Sequence, residues 1–437
     1  MLRQLTRREM LRNTGLAGVG VWVSGATSAV GWGGGKSPSP NEKLYILCVG
    51  VGGRGGADVN GVSTENIVAL CDVDSRRAAK TFEKFPKAKR FQDYRTALEE
   101  LEHRIDAVVI GTPDHTHAPP AAEAMRMGKH VYCEKPLTHC VYETRVLTEL
   151  AREKKLATQL GTQIHARDNY RRVVELIQAG AIGPVRRVEV TFPGGLGGQD
   201  RPEETPPVPE GLNWDLWLGP APYRPYHPAY VPGSWRAWWD FANGTLGDFG
   251  CHYMDLPYWA LKLKYPSVIE AEGPPPHPET AAPVLTVRYQ FPARGDLPPV
   301  TMTWRNGKGN KSPIFEEKKI PDWGASVLFV GEEGMLLANY SKHRLLPESK
   351  FADFQRPEPT IPKSIGHHQE WVRACKTGEP TTCNFDYSGP LTETVLLGNV
   401  SYRAGSALEW DAANLKATNC PEADTLIRRE YREGWTL

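Results

Sequence analysis

The sequence predicts an α/β chain: a Rossmann-type N-terminal domain, then an α+β domain with a large, mostly antiparallel sheet. Three observations carry that prediction. Short apolar runs recur between residues 44 and 133, separated by stretches long enough for a crossover helix, which is the rhythm of a parallel sheet covered on both faces. A glycine-rich turn, Gly50-Val51-Gly52-Gly53-Arg54-Gly55, directly follows the first run. Beyond residue 180 the texture shifts to alternating strands with fewer helices between them. A length of 437 residues suits two domains, placed at 44–165 and 166–437.

Taken in order, residues 44–49, 67–71, 107–110, 130–133 and 156–159 have strand length, with helix-compatible stretches at 76–85 and 118–128. The second part opens on a helix at 169–180 that ends in glycine, followed by a strand at 185–192. Residues 194–211, rich in Gly, Pro and acids, form a long loop. Strands are expected at 282–291, 300–304, 326–330 and 334–339, then a helix at 391–408 and a charged tail carrying Trp435. The sequence shows no internal repeat and no heptad run.

Residues 1–32 read as a leader rather than as fold. Arg7 and Arg8 precede a short apolar run at 15–23 and small residues through Ala29. This layout resembles a twin-arginine export signal, and the run is too short for a stable membrane span. The expectation is a periplasmic or otherwise extracytoplasmic protein without stable membrane insertion, whose mature chain starts flexibly at 33–43.

Composition excludes several classes. Hydrophobic residues at 40% and charged residues at 24% rule out a mainly disordered or fibrous chain. With 52 basic against 51 acidic residues, no overall field favours nucleic acid. Eight dispersed cysteines without a CxxC pair suggest neither a disulfide framework nor a thiolate metal knuckle. His115 and His117 lack convergent partners, so no metal is expected.

The nucleotide reading rests on spacing. Gly50, Gly52, Gly53, Arg54 and Gly55 fit GxGxxG, which lets a pyrophosphate approach the backbone at the start of the first helix. Asp72 lies 22 residues after Gly50, where a carboxylate can take the ribose hydroxyls and repel a 2′-phosphate. NAD is therefore favoured over NADP, although Arg76 and Arg77 nearby pull the other way. Thr112, Pro113, Asp114, His115, Thr116 and His117 follow another strand at its carboxyl end, the side from which ligands approach such sheets.

With Val131-Tyr132-Cys133-Glu134-Lys135-Pro136 and the later 247–252 segment, the chain resembles the glucose-fructose oxidoreductase, inositol dehydrogenase and rhizopine-catabolism (Gfo/Idh/MocA) family from residue 44 to about 411. The resemblance implies that Glu134 and Lys135 sit at the cofactor, Lys135 beside the nicotinamide, and that Asp248 and His252 supply the other catalytic groups. An i,i+4 spacing places those two on one face if the segment is helical. His252, with an ordinary pKa near 6.5, would accept the hydroxyl proton. Lys135 would hydrogen-bond the substrate oxygen, or relay the proton if burial lowers its pKa, while Asp248 orients the histidine or binds a hydroxyl.

Substrate contacts are expected from His165, His252 and a wall of Trp217, Trp235, Trp238 and Trp239, with Arg236, Asp240 and Asn243 meeting hydroxyls. At least half of these tryptophans should be structural. Gly366, His367 and His368 are a further cleft candidate.

The leading expectation is an exported NAD-dependent oxidoreductase of a carbohydrate or polyol that holds its cofactor tightly. One alternative is redox-neutral glycoside cleavage through transient oxidation, in which a C3 ketone acidifies the C2 proton. Another is a non-catalytic exported sugar-binding protein. The resemblance implies a homodimer or homotetramer.

Overall fold

Six short strands account for the first half of the fold in the computed structural model, which describes residues 42–437. The leader at 1–32 and most of the 33–43 segment lie outside the described residues. β1 (Tyr45–Val49), β2 (Asn66–Cys71), β3 (Lys89–Phe91), β4 (Ala107–Ile110), β5 (His130–Cys133) and β6 (Thr158–Leu160) pair in parallel, in the order β3-β2-β1-β4-β5-β6. The inner strands are buried along nearly their whole length, as they must be when helices cover both faces. β3 is the exception. Its Lys89 and Arg90 are exposed at the sheet edge, a charge pattern that blunts edge pairing and hides the strand from a search for apolar runs.

The crossovers are α1 (Arg54–Gly61), α2 (Ser75–Lys84), α3 (Tyr94–Leu101), α4 (Ala118–Arg126) and α5 (Val141–Lys154). Asp74 caps α2 and Asp93 caps α3, each side chain accepting from the backbone N–H two residues on.

After α6 (Asp168–Gln178) the chain builds a nine-stranded sheet. Its strands are β7 (Val185–Phe192), β8 (Val268–Glu272), β9 (Leu285–Phe291), β10 (Val300–Asn306), β11 (Ser326–Gly331), β12 (Met335–Ala338), β13 (His343–Leu346), β14 (Leu408–Asp411) and β15 (Lys416–Ala417). They run in the order β13-β12-β11-β7-β10-β9-β8-β14-β15, and every pairing is antiparallel except β7 with β10. β9 buries alternate residues, the period-two signature of a sheet with one face on the core.

Two helices tie this sheet to the nucleotide half. α7 (Gly244–Tyr253) and the returning α9 (Phe385–Ala404) pack together, and α9 also lies against α5 and β8. The helix expected at 391–408 thus starts earlier, where Asn384 caps it, and ends earlier, at Gly405 with φ 64°. Pro390 lies inside α9 without ending it, and burial on nearly every side removes the polar stripe that would have marked the start. Arg145 on α5 forks onto Glu393 of α9 at 2.8 Å through each nitrogen. α8 (His367–Thr377) sends Trp371, Val372 and Cys375 into the core beside β1, so the C-terminal part of the chain completes the first sheet's packing. Residues 43–437 form one unit. All eight cysteines are buried and none forms a disulfide, and among the described residues no helix is long and apolar enough to cross a membrane.

Candidate functional site

The glycine turn is built by close backbone approach. Gly50 sits at φ +74° and its N–H donates to the Cys71 carbonyl at 2.8 Å, locking the turn onto the end of β2. A Cβ on Gly55 would lie 1.7 Å from the Gly50 oxygen, so α1 begins where no side chain fits. Asp72 Oδ2 accepts from the N–H groups of Val51 and Gly52 at 2.8 and 3.0 Å, and its Oδ1 accepts from Asp74 at 2.9 Å. Burial pushes this carboxyl above its ordinary value, against the pull of the three N–H groups. Asp72 therefore both lines the cavity and braces the loop.

The turn opens into a cavity of about 430 Å³ whose walls come from both halves of the chain. Gly50, Gly52, Arg54, Asp72, Thr112, Pro113, Glu134 and Lys135 line one side, and Trp217, Trp235, Arg236, Asp248 and His252 the other. The conditional helix is present: Asp248 and His252 both lie on α7 and face this cavity together.

Charge is concentrated where the halves meet. Lys135 Nζ donates to the Asp248 carbonyl oxygen at 3.0 Å and also to its carboxylate, and Arg236 Nε lies 3.3 Å from the second carboxylate oxygen. Burial would lower the lysine and raise the aspartate. Asp248, Glu134 and Asp114 instead hold the ammonium above its ordinary value, while Lys135 and Arg236 hold the Asp248 carboxylate below its own. Lys135 is thus a fixed cation, not the lowered proton relay that burial alone would give. Asp248 positions Lys135 rather than His252. Burial, with Lys135 adding to it, drives the His252 imidazole down to about 3, far from 6.5. It stands neutral at physiological pH, and its Nδ1 has no hydrogen-bond partner among the described residues. Glu134 accepts from Arg54 Nε at 3.1 Å and Gln163 Nε2 at 2.6 Å, and burial, reinforced by Asp58, lifts its carboxyl to about 7.

These features fit a dinucleotide: a bare glycine backbone, an acid at the end of β2, and a lysine with an unpartnered imidazole across the cleft. Residues 44–162 match the oxidoreductase family's NAD-binding Rossmann fold, and residues 171–297 match its C-terminal alpha/beta domain. The chain belongs to the Gfo/Idh/MocA oxidoreductase family. Its nucleotide site is an NAD(H) site. Among curated relatives, an inositol 2-dehydrogenase from Rubrobacter xylanophilus is 34% identical over 149 residues, covering 33% of this chain and 42% of that protein. A glycosyl hydrolase family 109 protein from Solibacter usitatus is 33% identical over 150 residues, 32% of this chain and 34% of that one. The chain thus matches less than half the length of either relative. An aldose-aldose oxidoreductase from Caulobacter crescentus, solved with glycerol, shares the fold at a TM-score of 0.55 and 15% identity, covering 84% of this chain and 100% of that one.

Several residues expected at this Gfo/Idh/MocA site serve the scaffold instead. Gly53 and Gly55 shape the turn without lining the cavity, and Arg76 folds back onto its own helix cap, Asp74, at 2.7 Å, leaving Arg77 to face the cavity. His115 is buried against Trp217 and Phe241, with Nε2 2.9 Å from the Trp217 carbonyl oxygen. His117 bridges the carbonyls of Thr112 and Pro136, each at 2.8 Å, and so supports the turn beneath Lys135. His165 pairs with Asp255 at 2.9 Å and stacks on Trp259, away from the cavity lining. Trp238 is 1% exposed, and its Nε1 donates to the Ala229 carbonyl oxygen. Trp239, Asp240 and Asn243 face a separate cavity of about 290 Å³. There, Trp239 lies under Arg403, Asp240 pairs with Arg224, and Asn243 donates to the His139 carbonyl oxygen. In the 366–368 segment, His367 meets the Leu160 carbonyl oxygen and His368 meets Asp58.

Sequence reasoning named Asp114 only as part of a loop, yet it lines the NAD(H) cavity. Burial lifts its carboxyl to about 8, against the attraction of Lys135. A group protonated in the folded chain but ionised in the unfolded one stabilises fully below the unfolded pKa of about 4 and loses that contribution as pH rises through about 8. Asparagine mimics the protonated acid and does not titrate. The melting temperature of Asp114→Asn should therefore gain on that of the unsubstituted protein from pH 5 to about pH 8 and level off above it. A constant offset across that range would contradict the buried, neutral carboxyl.

Proposed function

We propose that the protein is an exported NAD-dependent oxidoreductase that moves hydride between a carbohydrate or polyol carbon and a tightly held cofactor. The observation that carries this reading is the convergence of Lys135, Asp248 and His252 on the cavity that begins at the glycine turn. Trp217 and Trp235, the two predicted tryptophans that line it, offer flat apolar faces to a sugar ring. Bound NAD supplies the hydride acceptor. The Lys135 ammonium, held by Asp248, donates a hydrogen bond to the substrate oxygen and stabilises the charge that builds there. The neutral His252 imidazole accepts the hydroxyl proton, and Arg236 steadies both Asp248 and the sugar-facing wall. The twin-arginine pattern, whose systems carry folded cargo, supports export of a loaded protein.

Denaturing the purified mature protein and weighing the released nucleotide should yield about one NAD or NADH per chain. Adding a polyol or aldose should then convert bound NAD to NADH. An empty protein would defeat tight retention, and a loaded protein inert to every sugar class would defeat the substrate assignment.

The glycosyl hydrolase family 109 relatives favour a second reading, redox-neutral glycoside cleavage. Under it, an aryl glycoside would release its phenol with no net NADH. We expect a homodimer or homotetramer by light scattering.

A further inference from the structure

The charged C-terminal tail reaches the nucleotide cavity. Trp435 is part of its lining, together with Val73, Gln92 and Tyr94 at the ends of β2 and β3. In the sheet order this is the opposite end from Lys135, which follows β5. It is also the side of Asp72, beyond which the adenine half of a dinucleotide lies in this fold.

The tail is held along its length by anchors from four segments. Half-buried Arg429 pairs with Glu143 near the start of α5 and donates to the His115 carbonyl oxygen at 2.7 Å, and Tyr431 donates to the same Glu143 at 2.6 Å. Arg432 donates to the Gly219 and Asp215 carbonyl oxygens at 3.1 and 2.9 Å and pairs with the Asp215 carboxylate. Trp435 then lies 4.4 Å from the Arg95 guanidinium, whose Nη1 donates to the Gly434 carbonyl oxygen at 3.3 Å. Arg95 is itself fixed by Asp93, and the Tyr94 ring stands 6.2 Å from that of Trp435. A half-buried tryptophan kept in place by this many charged contacts, yet facing a cavity, is a built wall and not a frayed terminus.

We infer that residues 429–435 form a strap that closes the adenine end of the NAD(H) cavity, with Trp435 as its contact to the base, and that the strap slows cofactor release. This deepens the reading of a tightly held cofactor and is independent of the substrate.

The test loads the full-length mature protein with NADH and follows NADH release by stopped-flow fluorescence on mixing with excess NAD. An aromatic contact to a base predicts release roughly tenfold to a hundredfold faster in Trp435→Ala. Trp435→Phe should stay within about threefold of the unsubstituted protein, and Arg432→Ala, which unpins the strap but leaves the ring, should also release faster. Hydrogen exchange needs no variant: NADH should slow exchange of the 429–435 amides about tenfold or more. Equal release rates in Trp435→Ala and the unsubstituted protein, or tail amides indifferent to NADH, would overturn the strap. Rapid release from the unsubstituted protein itself would overturn tight retention instead.

Discussion

Substituting Lys135 by methionine is expected to slow hydride transfer to bound NAD by about a thousandfold while leaving NADH affinity within a few-fold. Methionine keeps the length and the apolar stem but removes the ammonium that donates to the substrate oxygen and pairs with Asp248. The substitution also leaves the Asp248 carboxylate, mostly buried, with Arg236 alone at 3.3 Å. Stranding one partner of a buried pair costs about 3–5 kcal/mol, so Lys135→Met should also melt earlier. The double variant Lys135→Met with Asp248→Asn separates the two effects. Removing the stranded charge should restore most of the melting temperature but none of the rate. Single-turnover reduction of bound NAD, set beside thermal unfolding of the same samples, reads both quantities. If the rate returned along with stability, Lys135 would be a structural residue and the catalytic reading would fail.

The fold was legible where apolar patterning is clean. β4, β5 and β7 lie where short apolar or alternating runs place them, because inner strands and half-buried strands have few ways to be written. What escaped was the return of the chain: α8 and α9 complete cores begun three hundred residues earlier, and nothing local in Trp371 or Phe385 says which sheet it will meet. The site shows the same division. The glycine spacing was readable as a local pattern with one geometric consequence, whereas Lys135 and the Asp248–His252 pair were reached through the family resemblance. The tryptophan wall split in half: Trp217 and Trp235 line the NAD(H) cavity, while Trp238 and Trp239 pack elsewhere. Trp214 stacks on Trp217 at 4.7 Å, and Tyr230 and Phe241 fill the space beside them, so aromatic density here is mostly a small core of its own. Arg76 and Arg77 illustrate the limit of resolution: adjacent helix positions differ by about 100° of rotation, and Arg76 pairs with the helix cap Asp74 while Arg77 faces the NAD(H) cavity.

Replacing Gly55 by alanine should weaken NADH binding by about a hundredfold or more, although Gly55 touches no part of the cavity. Its backbone is not in the left-handed region, so the expected loss is steric alone. The new Cβ would meet the Gly50 oxygen at 1.7 Å, the Gly50 carbonyl carbon at 2.8 Å and the Gly111 oxygen at 3.3 Å. All three are backbone atoms, so no side chain can swing aside. Either α1 moves off the sheet or the Gly50 carbonyl is pushed toward the nucleotide, and both destroy the register between the glycine turn and the first N–H groups of α1 on which a pyrophosphate depends. Gly52→Ala provides the graded comparison. Its Cβ would meet Arg77 Cβ at 3.0 Å and the Arg77 backbone at 3.2 Å, contacts that a small shift of α2 can relieve. NADH titration should therefore rank affinity as unsubstituted protein, then Gly52→Ala, then Gly55→Ala, with nucleotide missing from the last on purification. Equal affinities for Gly55→Ala and the unsubstituted protein would mean that α1 can retreat without disturbing the loop, and that the close packing of Gly50, Gly55 and Gly111 serves stability and not cofactor binding.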